Sequence, residues 1–288
     1  MSGPADPTFE NDVRRRIYEY VERSGAASPS EIRHQVRINT GPPASKPARS
    51  SGSSAEQTPM PVAQVREHLD ALEENGYLFQ ENGTYRIALG KEGTTHAIES
   101  GTVRIRPARP GDLEELTAVI RQIASEDTYI VARTIAEAID HEETLLRHNE
   151  RQSRVFFVAT YTPSGEGSED GEGSDPEVEA STDADAGEIV GWVHLEGLRL
   201  AAMDHVAELT VGVLAEHRQE GIGDQLVGHG LDWAEEAGYE KIYQTLPATN
   251  ERAISFLESE AWEREATHKD HYRIGEEYVD EVLLAAWL

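Results

Sequence analysis

The chain has 288 residues, with 54 acidic against 26 basic, and no cysteine. That length exceeds what one compact core needs and suits two. Disulfides, thiolate metal sites and cysteine nucleophiles are excluded, and no apolar run approaches the roughly 20 residues that span a bilayer.

The first thirty residues lack the apolar core of a signal peptide, so a cytoplasmic location is expected. Only four basic residues are lysine (Lys46, Lys91, Lys241, Lys269) and the other 22 are arginine. Acid is spread along the chain rather than focused. It therefore reads as a solvated anionic coat of the kind that keeps proteins soluble at high salt, not as a surface for one cationic partner. Residues 1–100 carry a net charge of only −3, so the remainder holds almost all of the −28.

In chain order, residues 9–23 place Val13, Ile17, Tyr20 and Val21 at helical spacing before Gly25. Ser28 or Ser30 caps a second short helix that runs to about Val36. Residues 41–60 are rich in Pro, Ser and Gly and predict a disordered insert. Pro61 starts a third helix with a stripe of Val62, Val65, Leu69 and Leu72, stopped at Gly76. Asn82-Gly83 then predicts a hairpin. Three helices and a hairpin over residues 9–89 resemble a winged helix-turn-helix, with the insert in place of its usual short turn. In that resemblance Gln64, Arg66 and His68 face a major groove and Arg86 the DNA backbone. Glu67, Asp70, Glu73 and Glu74 on the same helix argue instead for a protein-binding or lid module.

Residues 91–101 read as a linker between this unit (1–90) and a second domain (102–288). The second begins with a strand at 102–109. A helix follows with Leu113, Leu116, Val119, Ile120 and Ile123 inward, and another helix is expected within 134–150. Two apolar strands, 155–161 and 188–198, flank an acid-rich segment of about 163–187 that predicts a disordered loop. That segment lacks fixed ligand spacing, so no metal is expected.

The segment 206–237 holds the chemistry. A strand from Ala207 to Leu214 enters a turn with Arg218, Gly221 and Gly223, and then a helix with Leu226, Val227, Leu231 and Ala234 on one face. Glycines let a ligand approach the backbone, and a helix start offers free N–H groups at its positive end. Such a turn suits a phosphate or pyrophosphate. Arg218-Gln219-Glu220-Gly221-Ile222-Gly223 after a strand resembles the R-x-x-G-x-G signature of the GNAT acyltransferase superfamily. Asn250 with Ala253, and Tyr278 with Asp280 in the closing strands, extend the resemblance over about 102–288.

The resemblance implies an α/β (α+β) fold with a GNAT-like mixed, splayed central sheet flanked by helices, beside the small winged-helix-like domain. It also implies an acetyl-CoA-dependent N-acetyltransferase. The backbone of Val213 and Leu214 would meet the pantetheine and the acyl carbonyl, Arg218, Gln219, Gly221, Ile222 and Gly223 the pyrophosphate, and Asn250 the CoA arm from the other side. Glu208 is the candidate base. Many members place a tyrosine acid in the helix after the Asn, but that position is Leu257 here, and Tyr243 or Tyr272 are the substitutes considered. His205 and His217 are weaker candidates for the base. Expected partners are acetyl-CoA, an amine acceptor, possible DNA at residues 9–89 and a second copy in a homodimer. The alternative is a transcriptional regulator that senses acyl-CoA without turnover.

Overall fold

The computed structural model describes residues 9, 11–39, 57–81, 83–89, 93–125, 135–137, 139, 145–149, 152–164, 187–197 and 200–288. Most of the expected insert at 41–60, Asn82 and nearly all of the acid-rich segment at 163–187 lie outside them.

Helix α1 (Asp12–Ser24) is capped by Asn11, whose side chain accepts from Val13 N at 2.8 Å, and ends at Gly25 with φ +69°. Helix α2 (Pro29–Gln35) has a capping box between Ser28 and Glu31. Helix α3 (Val62–Glu74) buries Val65, Leu69 and Leu72. A ribbon of β1 (Arg37–Asn39) and β2 (Gln57–Pro59) brackets the insert, so its far end is ordered. Met60, expected within the insert, is fully buried, because its apolar side chain packs into the core while Arg33 Nε holds its carbonyl at 3.0 Å. The hairpin of β3 (Leu78–Glu81) and β4 (Thr84–Ile87) follows, and Ala27 bridges to Tyr85.

The rest is built on one nine-stranded sheet, ordered β12-β13-β11-β10-β9-β8-β6-β5 with β7 also paired to β8. Its strands are β5 (Thr94–Ile98), β6 (Gly101–Pro107), β7 (Arg147–Asn149), β8 (Gln152–Pro163), β9 (Glu188–Gly197), β10 (Val206–Val213), β11 (Lys241–Pro247), β12 (Glu263–Ile274) and β13 (Glu277–Trp287). Every pairing is antiparallel except β10 with β11. Two expectations change here. The linker at 91–101 contains strand β5, whose side chains are all half-buried or exposed, so its composition looks like a connection. The helix expected within 134–150 is present at residues 135–137 and 139, but the end of that stretch holds strand β7 at 147–149.

Helix α4 (Leu113–Ala124) covers one face of the sheet, packing Leu116, Ile120 and Ile123 with Phe156, Val158 and Trp192. Helix α5 (Ile222–Glu236) covers the other, with Leu226, Val227, Trp233 and Ala234 against Val193, Leu195, Ala207 and Leu209. The last helix, α6 (Glu251–Ser259), buries Ile254 and Leu257. The core of α1–α3 is continuous with this second layer. A buried carboxylate seals the join: Glu22 accepts from the His148 N–H at 2.6 Å. Among the described residues no helix is long and apolar enough to cross a membrane.

Candidate functional site

The sheet parts at its one parallel junction. Strands β10 and β11 are in register only from Val206/Lys241 to Glu208/Tyr243. Beyond that point β10 stays with β9 up to Val213, and β11 stays with β13 up to Pro247. Along β10 backbone groups point alternately to either side. Leu214 N–H donates to Val190 O at 2.9 Å, so the groups of Val211 and Val213 turn the other way, into the gap. There Arg218 Nε donates to Val213 O at 2.8 Å.

The gap widens into a cavity of about 310 Å³. Val211, Val213, Gln244 and Leu246 line it from the parting strands, and Arg252, Phe256 and Leu257 from α6. Arg218, Gln219, Gly221, Gly223 and Asp224 close it at the turn. Gln219 and Gly221 both have left-handed backbones, at φ +70° and +82°. This turns the chain sharply into α5 and leaves the N–H groups of its first turn without intrahelical acceptors. A Cβ on Gly223 would meet only Phe256 Cζ, at 4.0 Å, so the missing side chain leaves open space on the cavity side. Two guanidinium groups against one carboxylate give this lining a positive balance, in a protein of net charge −28. Donors, helix dipole and cations together make a place for an anion.

Five of the eight expected ligand residues therefore line one cavity: Val213, Arg218, Gln219, Gly221 and Gly223. Three do not. Leu214 has its N–H committed to Val190 and its side chain in the α4 core, and Ile222 is buried against the sheet. Asn250 is buried and spends its Oδ1 on the Ala253 N–H at 3.2 Å, capping α6. Its work is to fix the helix that walls the cavity. Gln244, Leu246, Arg252 and Phe256 were not anticipated, although alternation along β11 and the four-residue spacing on α6 put each pair on one side.

Glu208 stands on the opposite face of the sheet, since the side chains of β10 alternate and Leu209 lies with α5. Tyr243 Oη donates to its Oε2 at 3.4 Å, a long bond at the last paired position before the gap. Burial pushes the Glu208 carboxyl above the ordinary range; the Tyr243 bond opposes this, while the charges of Glu196 and Glu281 reinforce it. The same burial and the charge of Glu208 push the Tyr243 phenol up, so it stays protonated. Next along this face His194 and Thr210 face one another across β9 and β10. Both are buried, and among the described residues neither the His194 ring nitrogens nor Thr210 Oγ1 has a hydrogen-bond partner. Burial, with Arg154 beside it, pushes His194 down to about 3, so the ring is neutral. Neither His205 nor His217 lines the cavity. Leu257 does, and it offers hydrocarbon only.

Comparison with known proteins bears on residues within this frame. No curated protein matches the chain in sequence. Among solved structures, the chain is similar to the acetyltransferase of GNAT family from Streptococcus pneumoniae, at 16% identity and a TM-score of 0.46, over 65% of this chain and 99% of that one. An N-acetyltransferase from Staphylococcus aureus is 17% identical with a TM-score of 0.43, over 64% and 98%. Ribosomal-protein-alanine N-acetyltransferase from Brucella melitensis is 18% identical with a TM-score of 0.44, over 64% and 99%. Residues 137–261, which contain the parting strands, the glycine turn and both helices of the cavity, match the acetyltransferase (GNAT) family.

Proposed function

We propose that the protein transfers an acetyl group from acetyl-CoA to an amine. The observation that supports this best is the parting of β10 from β11, with an anion-holding turn on one face and a buried carboxylate on the other. Acetyl-CoA would supply an anionic pyrophosphate to the turn at 218–223 and a thioester to the gap. Backbone groups of Val211 and the N–H of Val213 face the gap and can bond an extended, amide-bearing ligand there, as a missing strand would.

The acceptor must lose a proton, because an ammonium with an ordinary pKa near 10.4 is not a nucleophile. Glu208 takes that proton. A carboxylate whose affinity for protons is raised by burial is a better base than one in water. The nitrogen then forms its bond to the acetyl carbon and the carbon–sulfur bond breaks. Backbone N–H groups at the gap stabilise the oxygen that gains charge. Leu257 cannot donate a proton to the departing sulfur, so the thiolate leaves unassisted from that side. The acceptor approaches from the face of Glu208, where His194 and Thr210 retain unspent hydrogen-bonding capacity.

For residues 9–89 the three helices, the hairpin and the exposed Gln64 and Arg66 support a winged-helix reading. With four acidic residues on α3 and a net charge of −3 over residues 1–100, a protein partner fits that surface better than DNA.

The test is calorimetry with acetyl-CoA in molar salt, run beside a thiol-release assay over a panel of amines. Micromolar or tighter binding with amine-dependent thiol release is expected. Binding without release would replace the enzyme by the sensor, and no binding would remove both.

A further inference from the structure

In a regular strand, residues three apart point to opposite faces. His268 and His271 of β12 break that rule. Strand β12 pairs His268 with Glu281 and then resumes at Tyr272 with Val279, so three residues on β12 stand against one on β13. The bulge is held at Asp270, which has φ +53° and donates its N–H to Asp280 Oδ1 at 2.9 Å. The extra residues swing His271 back to the side of His268.

Both imidazoles then reach one carboxylate. His268 Nδ1 lies 2.8 Å from Glu281 Oε2, and His271 Nε2 lies 3.6 Å from Glu281 Oε1. All three ligand atoms lie within 4.8 Å of one another. Glu281 is buried, and Tyr272 Oη donates to its Oε1 at 2.6 Å, fixing the carboxylate from behind. The two rings are about half-exposed, so the front of the cluster opens to solvent.

A hydrogen bond between one histidine and Glu281 would need neither the bulge nor the second ring. Two imidazole nitrogens and one carboxylate oxygen that converge on a point, with the carboxylate oriented by a second hydrogen bond, are the donor set of a borderline divalent ion. Oxygen-seeking Mg²⁺ and Ca²⁺ do not favour such a set. We infer that His268, His271 and Glu281 form a binding site for a divalent transition-metal ion, with Zn²⁺ as the expected occupant and water in the open positions. The inference uses none of the cavity residues and does not depend on the acetyl-transfer reading, although Glu281 shares the sheet face of Glu208.

Full-length protein, stripped with a chelator and titrated with ZnCl₂ by calorimetry, tests it. One equivalent is expected to bind, and His268→Gln or His271→Gln should weaken binding at least tenfold. Mg²⁺ at equal concentration should show no saturable binding. Failure of Zn²⁺ to bind, or equal affinity in both variants, would overturn the site; the latter would place the ion on other carboxylates or histidines. As a check independent of any variant, Zn²⁺ should shift the imidazole ¹⁵N resonances of two of the eleven histidines. A spectrum in which no pair moves together would overturn the assignment as well.

Discussion

The two faces of the sheet at the β10–β11 gap are built from opposite materials. On the α5 and α6 face, backbone N–H groups, missing side chains and the guanidinium groups of Arg218 and Arg252 surround the cavity. The opposite face presents Glu196, Glu208 and Glu281 with two tyrosines, and Glu208 and Tyr243 are displaced from their ordinary proton affinities by burial. One side is arranged for an anion and the other for a proton or a cation. A single layer of backbone separates them. Neither half explains the site alone: a glycine turn is a common anion holder, and a buried carboxylate is often only half of an ion pair. Their meeting at the one place where the sheet opens is the informative fact.

Removing the base should have the largest effect. Glu208→Gln is expected to lower kcat/KM by about 10²–10⁴-fold, the usual size of a general-base contribution, with acetyl-CoA affinity unchanged. Folding should not suffer. A carboxyl whose folded value is raised contributes stability below its unfolded value and loses it as pH rises through the folded one, so at neutral pH the variant should melt no lower than the parent. An unchanged kcat/KM would confine the second face to a structural role.

Filling the anion side should act on binding alone. Gly223→Glu puts bulk and negative charge into open space, and acetyl-CoA affinity in calorimetry should drop about a hundredfold, or roughly 2.7 kcal/mol. Because a Cβ at that position would meet only Phe256 among the described residues, melting temperature should stay close to the parent's. Retained affinity would put the ligand elsewhere.

The smallest expected effect sharpens the contrast between the faces. Tyr243 holds the Glu208 carboxyl down against burial. Activity should fall as pH drops through the Glu208 value, with the acid limb above the ordinary carboxylate range. Tyr243→Phe removes the opposing bond and should move that limb upward. A limb that stays in place would detach Tyr243 from the base.

The two faces were unequally legible in the sequence. The turn could be found because Arg218, Gly221 and Gly223 stand between an apolar strand and an amphipathic helix, and a positive φ leaves a mark in residue type. Leu214, Ile222 and Asn250 fall outside the cavity lining because proximity in sequence does not say which way a side chain points or what a capping oxygen already accepts. The gap is set by tertiary pairing, and no local pattern in β10 or β11 announces where their register stops. Strand β5 escaped notice for a different reason: an edge strand that buries little has no apolar signature. The bulge in β12 was invisible because it reverses the alternation from which faces are read.

The contact between Glu22 and His148 spans 126 residues of chain. During synthesis helix α1 leaves the ribosome long before its buried carboxylate has anything to bond, and it can finish docking only once β7 exists. Local contacts shape the first helices early, whereas their attachment to the sheet waits for one of the longest loop closures in the molecule. Helix α1 is therefore made early and secured late.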